Sequence, residues 1–407
     1  MEKLSNHFTG VAVKPLSEVE VNPRTSNQHE LQGVQKLKKI LGGDRRKIDS
    51  TCIYLADDEA DRLSQDGKLT WYDCREYDSK RSAEFRLYYT TSNEPLKSAS
   101  AGDTLIYAHR PDGSLLLVIV PKESELRTEL LWLFGVYEEP GDLLEVVDPT
   151  DIEVPISLFN YIADEAGIAV FASGTEGDNW TGLLLNKFGL KFPTTRELSG
   201  LALETLDGEV DPIDDPDGTL LALIEREEIL FKQLERRIVS EHLTEHAAGW
   251  SKDVDAFVSF SLSVQNRRKS RAGHALENHL EWVFGKNGLR FERGARTEKR
   301  SKPDFLFPGS EAYQDNDFPS SHLHMLGVKT SCKDRWRQIL NEAQRISPKH
   351  LLTLQPGISE HQMIEMTDAE VQLVVPSPLQ KFYLHGNTEQ LSSFISSIRE
   401  QQHGRHR

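Results

Sequence analysis

Apolar residues gather in two short runs, Thr104 to His109 and Ser114 to Val120, with Arg110-Pro111-Asp112-Gly113 between them. β-prone segments joined by a Pro-Asp-Gly turn predict a hairpin. Ile53-Tyr54-Leu55 and Phe85 to Thr90 predict further strands, and Glu125 to Phe134 a short helix. The stretch before about residue 45 is polar without clear periodicity and reads as a loose lead-in.

The second half of the chain changes period. Leu220 to about His246 is helical and heavily charged, and Val254 to Val264 begins another helical stretch. From Ser270 to Lys286 the residues Leu276, Leu280, Val283 and Phe284 share one helical stripe, with Gly288 as its stop. Strand-like runs follow at Asp304–Phe307, Leu323–Lys329, Leu351–Leu354 and Val371–Val375. Between the second and third, the spacing predicts a helix from about Asp334 to Ile346, with Trp336, Ile339, Leu340 and Ala343 inward. Helices interleaved with short apolar strands indicate α/β organisation. The segment Glu204 to Gly218 is acidic, broken by prolines, and reads as a solvated loop. Gly174 to Asp178 is the better linker. The expected division is a mostly β domain over 1–175 and an α/β domain over 181–400, with no internal repeats.

A length of 407 residues suits two cores better than one. Three scattered cysteines, Cys52, Cys74 and Cys332, argue against a disulfide framework or a cysteine zinc cluster and fit a reducing cytoplasm. No apolar run is long enough to span a bilayer and no secretory leader is evident. The net charge of −16 is unevenly spread. Residues 261–350 carry 17 Lys+Arg against 10 Asp+Glu, an excess of +7, whereas 141–260 carry 8 against 25, or −17. A local basic face is what a polyanion meets, because phosphate neutralisation acts at contact range in cellular salt.

Within the basic block lie Asp304, in Lys302-Pro303-Asp304-Phe305, Lys329, in Val328-Lys329-Thr330, and Glu342 on the predicted helix beyond. Two carboxylates hold a hard divalent cation, and an ammonium beside them orients a water or a phosphate. Glu277 flanks the apolar stripe of the earlier helix, from where it joins such a site directly or through water. Mg²⁺ is the expected cofactor and phosphodiester hydrolysis the expected chemistry. Nucleases of the broad P-D…(D/E)-x-K type carry an acid two residues before the lysine; here that position is Gly327, and Glu342 is the natural substitute.

Longer strings make the pattern specific. Ser263 to Gly273 (SVQNRRKSRAG), Lys302 to Pro308 (KPDFLFP), Val328 to Glu342 (VKTSCKDRWRQILNE), Leu351 to Gly357 and Val371 to Ser377 together resemble the catalytic domain of the EcoRII-type restriction endonucleases. The resemblance runs from about Lys187 to near Tyr383. It implies a restriction-endonuclease-like α/β/α domain with a central mixed sheet, preceded by a mostly β pseudo-barrel domain with some helix. It carries Asp304, Lys329 and Glu342 over as catalytic, with Glu277 matching the family's helix glutamate. Lys333, Asp334 and Arg335 match the triplet that reads the C and G of a CC-centre-GG site, in keeping with basic donors to guanine and a carboxylate acceptor for cytosine. Arg267, Arg268, Lys269 and Arg271 form a second basic run suited to phosphates. By looser analogy, Arg75, Lys80, Arg81 and Arg86, interleaved with Tyr72 and Tyr77, are candidates for binding an effector DNA. The resemblance further implies double-stranded DNA as substrate, a homodimer, a companion cytosine DNA methyltransferase and a cytoplasmic location in a bacterium or archaeon.

Two rivals stay open at this level. A DNA-binding protein with a dead nuclease would show the same basic block. His242-Leu243-Thr244-Glu245-His246 satisfies the H-x-x-E-H spacing of inverted zinc peptidases, without a recognisable third ligand downstream.

Overall fold

The computed structural model describes residues 2–22, 24–25, 29–32, 34–78, 80–168, 180–250, 253–298, 301–330, 332, 335–356, 358–383 and 388–403, without the side chains of 247–250 and 335. The linker expected at Gly174 to Asp178 lies outside them. The chain divides into two compact units, Met1–Thr175 and Glu176–Arg407.

The first unit is built on β1 (Glu2–Lys3), β2 (Gly10–Pro15), β3 (Glu30–Leu31), β4 (Arg46–Tyr54), β5 (Leu63–Asp73), β6 (Phe85–Tyr88), β7 (Thr104–His109), β8 (Leu115–Val120), β9 (Glu145–Val147) and β10 (Glu153–Val154). Eight of them form one sheet in the order β3-β6-β5-β4-β8-β7-β2-β9, and β1 pairs with β10. Strand β8 is central and buried on both faces, since Leu115 through Val120 are all at most 1% exposed. The turn before it follows its sequence: Gly113 stands at φ +85°, and the Arg110 N–H donates to the Ser114 carbonyl at 2.9 Å. The expected loose lead-in is corrected here. Strand β2 pairs with both β7 and β9, and Val11, Ala12 and Val13 are fully buried. Its short apolar core, Val-Ala-Val, is too brief to stand out in a polar neighbourhood. Strand β5 also escapes notice, because one face of Ser64 to Lys68 is solvated and supplies no apolar alternation.

The second unit is a mixed α/β layer structure. Strands β11 (Glu292–Arg293), β12 (Phe305–Phe307), β13 (His324–Lys329), β14 (Lys349–Thr353), β15 (Val371–Val374) and β16 (Thr388–Glu389) lie in sequence order across one six-stranded sheet. The first three pair antiparallel and the rest parallel. Helix Val254–Lys286 presents its expected stripe to this sheet: Phe284 meets Phe305 and Phe307 edge-on at 5.2 and 5.4 Å between ring centroids. Gly288, at φ +69°, ends the helix by letting the Leu289 N–H reach back to the Phe284 carbonyl at 3.1 Å. Helix Pro216–Trp250 runs antiparallel to it, joined by a buried polar seam. There Glu227 accepts from His279 Nε2 at 2.8 Å and from Ser199 Oγ at 2.7 Å, and Arg271 donates to Glu227 at 3.2 Å and to Glu228. Among the described residues, no helix is long and apolar enough to cross a membrane.

The acidic segment Glu204 to Gly218 is not wholly solvated. Asp217, in the first turn of helix Pro216–Trp250, is 2% exposed. Its carboxylate accepts from the backbone N–H groups of Ser377 (2.9 Å), Leu391 (3.0 Å) and Ser392 (2.9 Å). Orphaning three donors in this setting is costly, so Asp217→Ala is expected to lower unfolding free energy by about 3 kcal/mol or more, measured by urea denaturation. A loss below about 1 kcal/mol would show that the carboxylate is dispensable.

Candidate active site

Asp304 immediately precedes β12, and Lys329 ends the neighbouring β13. Antiparallel pairing of Phe305 with Leu326 brings the two together. One carboxylate oxygen of Asp304, Oδ2, accepts from the Val328 N–H at 2.7 Å and from Lys329 Nζ at 3.1 Å. Both side chains are about one-fifth exposed, enough to meet a solvent-borne substrate.

Glu342 arrives from the other side of β13. The helix predicted from Asp334 to Ile346 is instead a 3-10 helix, Arg335–Asn341, and Glu342 stands just past its end. Trp336 and Ile339 are buried as expected, but their spacing of three residues suits a 3-10 turn as well as an α-helix. Ala343, at φ +45°, then turns the chain out of the helical region. Lys349, opening β14, fixes this turn by donating from Nζ to the carbonyls of Glu342 (2.5 Å), Ala343 (3.1 Å) and Ile346 (3.2 Å). Nothing in the sequence distinguishes Lys349 from other lysines; its role arises only from where the turn ends.

Gly327 explains why the acid reaches the site by this route. A Cβ at Gly327 would lie 2.7 Å from Ile339 Cγ2 and 3.5 Å from Leu351 Cδ1. Ile339 is fully buried and has no room to withdraw. An acidic side chain two residues before Lys329 is therefore incompatible with the 3-10 helix that delivers Glu342.

Burial, followed by the negative charge of Asp304, pushes the Glu342 carboxyl up to about 7, against the opposing pull of Lys329 and Lys349. A buried carboxyl raised by a neighbouring carboxylate marks a donor set short of positive charge, and an oxygen-seeking divalent cation fits that need. Glu277 is not gathered with them. Its carboxylate is held by Arg293, whose Nη2 donates to it at 2.7 Å, and Arg293 also donates to Glu281 at 2.8 Å. Arg293 pairs with Phe305 in the sheet, so Glu277 stands behind the strand that carries Asp304. Among the described residues, Asp304, Glu342 and Glu277 do not form a cluster with ligand atoms within 4.8 Å of one another; His242, Glu245 and His246 do.

The basic residues separate into buried or ion-paired ones and exposed ones. Arg271, one of the expected phosphate contacts, is 9% exposed, paired with Glu227 and Glu228, and laid over the Phe231 ring at 4.2 Å. That placement removes it from a DNA-facing role: helical spacing turns its side chain into the seam between helices. Arg268 is held by both oxygens of Glu235, at 2.8 and 2.7 Å. Arg267 covers the Phe192 ring at 4.5 Å but stays exposed, as does Lys269. Lys333 and Asp334 lie outside the described residues, and Arg335 is described by its backbone alone. In the first unit, Arg86 is bound to Glu30 at 2.5 Å and to Glu84 at 2.9 Å, and Arg75 also pairs with Glu84. Lys80 and Arg81 are exposed beside Tyr77, which is 91% exposed.

The raised Glu342 carboxyl has a measurable consequence in the metal-free protein. A folded-state value above the ordinary 4.5 contributes stability fully present below 4.5 and lost as pH rises through about 7. The thermal midpoint should fall across that window, Glu342→Gln should remove this part of the slope, and added Mg²⁺ should restore stability at the alkaline end. Equal slopes in the two proteins would refute the assignment.

Comparison with known proteins bears on this half of the chain. Residues 231–398 match the family model described as EcoRII C terminal. The type II restriction enzyme EcoRII of Escherichia coli is 53% identical over 149 residues, which is 36% of this chain and 37% of that protein's length. Among solved structures, metal-depleted Ecl18kI in complex with uncleaved, modified DNA aligns with TM-score 0.44 and 21% identity, covering 56% of this chain and 85% of that one. The complex of restriction endonuclease PspGI with substrate DNA aligns with TM-score 0.42 and 19% identity, over 56% of this chain and 98% of that one. Residues 231–398 match the EcoRII C-terminal family model, and the resemblance to the EcoRII-type restriction endonucleases holds.

Proposed function

We propose that the protein is a type II restriction endonuclease that hydrolyses double-stranded DNA at a short near-palindromic site of the CC-centre-GG kind, leaving 5′-phosphates. The observation that carries this reading is the convergence of Asp304 and Lys329 at 3.1 Å, with the Glu342 carboxyl close enough to respond to both charges. That arrangement sits within residues 231–398, which match the EcoRII C-terminal family model, and the name of the relative EcoRII states a restriction enzyme.

In this reading Asp304 and Glu342 would hold Mg²⁺, with Glu277, paired here with Arg293, as a further candidate oxygen donor. When bound, the cation supplies positive charge for the phosphate and a more acidic water. Lys329 binds a phosphate oxygen or orients the attacking water, and the Val328 N–H keeps the Asp304 carboxylate aimed at the same point. Arg267 and Lys269, the exposed members of the basic run, contact the DNA backbone. Lys333, Asp334 and Arg335 read the C·G pairs flanking the centre. A near-palindromic site calls for a homodimer, each subunit cutting one strand. The unit over 1–175 binds a second DNA copy as effector, with Lys80, Arg81 and Tyr77 as its open contacts and Arg75 and Arg86 shaping the surface behind them. Its working place is the cytoplasm of a bacterium or archaeon that also holds a cytosine methyltransferase protecting host sites.

Two substitutions test separate parts of this proposal. Lys329→Ala should abolish plasmid cleavage in Mg²⁺ while leaving sequence-specific binding intact in a gel-shift assay; normal cleavage would end the mechanism. Arg335→Ala should weaken binding to the specific site by about 1–3 kcal/mol per lost base contact and leave non-specific binding nearly unchanged.

A further inference from the structure

A group of metal-ligating side chains lies outside the machinery described above. His242, Glu245 and His246 occupy the outer part of helix Pro216–Trp250, toward the end where the chain turns into helix Val254–Lys286. Their spacing of three and four residues puts all three on one helical face. A ligand atom from each lies within 4.8 Å of the other two. Glu245 and His246 are exposed and His242 is half-buried, so ions have direct access.

Two contacts preorganise the donors. His246 Nδ1 lies 3.0 Å from the His242 carbonyl oxygen. A carbonyl only accepts, so Nδ1 carries the proton and Nε2 carries the lone pair. A backbone carbonyl on the far nitrogen is the usual partner of a metal-bound imidazole, fixing both tautomer and ring orientation. The His242 ring stacks on Phe260 at 4.1 Å and 26°, which limits its rotation, and lies 4.1 Å from the His246 ring. Phe260 belongs to the opposing helix, so the cluster is braced by the helix pair.

We propose that His242, Glu245 and His246 form a binding site for a zinc-class transition-metal ion. Two imidazoles and one carboxylate suit Zn²⁺, with a water completing a four-coordinate shell. Mg²⁺ is a poor fit, since it demands oxygen ligands in octahedral array. The ion links successive turns of one helix and so holds its outer end in helical form. With Glu245 spent as a ligand, the base that an inverted zinc peptidase needs is gone, and no peptidase activity is assigned to the site.

The test is a Zn²⁺ titration of the full-length, chelator-stripped protein by calorimetry, with millimolar Mg²⁺ present to occupy oxygen sites. The wild type is expected to bind one Zn²⁺ per chain, and His246→Ala and Glu245→Gln should each weaken that event by roughly tenfold or more. Glu245→Gln keeps the size and shape of the side chain, and circular dichroism checks that both variants remain helical. Substitution with Co²⁺ should give visible bands without the ultraviolet charge-transfer band of thiolate ligation, which separates this cluster from Cys52, Cys74 and Cys332. Failure of the wild type to bind Zn²⁺, unchanged affinity in both variants, or a thiolate signature would each overturn the proposal. None of these readouts depends on nuclease activity.

Discussion

The close approach of Ile339 to the bare backbone of Gly327 sets the geometry of the candidate site. Because no side chain intervenes, the 3-10 helix Arg335–Asn341 lies directly against β13, and Glu342 emerges beside Asp304 rather than away from it. The same contact forbids an acid on the strand. One constraint therefore decides both where the second carboxylate comes from and where it is excluded. Lys349 then completes the arrangement, gathering three carbonyls at the end of the turn.

Charge in this protein is divided between structure and surface in a way the basic and acidic blocks conceal. The seam between the two long helices consumes Glu227, Glu228, Glu235, Arg268 and Arg271, with His279 fully buried among them. Removing one partner from such a network leaves a buried charge uncompensated, which costs far more than the pair contributes. The +7 of residues 261–350 therefore overstates the cationic surface presented to solvent, and the −17 of residues 141–260 overstates its acidity.

Much of the architecture was legible in the sequence because it follows from period and punctuation. The stripe of Leu276, Leu280, Val283 and Phe284 gave a helix ending at Gly288, and the apolar runs gave β12 to β15 within a residue or two. Asp304 and Lys329 were readable because adjacent strands bring a strand start and a strand end together. Three things were not readable. Strand β2 has too short an apolar signature, and the 3-10 geometry before Glu342 shares its i, i+3 spacing with an α-helix. The third is side-chain direction along a helix of 33 residues: Arg267 and Lys269 stay out while Arg271 turns in, and only the partner helix decides which.

Asp217 joins positions 160 to 175 residues apart in the chain. Loop-closure entropy must be met before such a contact gives any return, and high contact order slows folding. During synthesis the full set of three donors is therefore complete only once the segment through Ser392 has left the ribosome. Residues 217 to 392 span most of the second unit, so this contact is completed late in its synthesis.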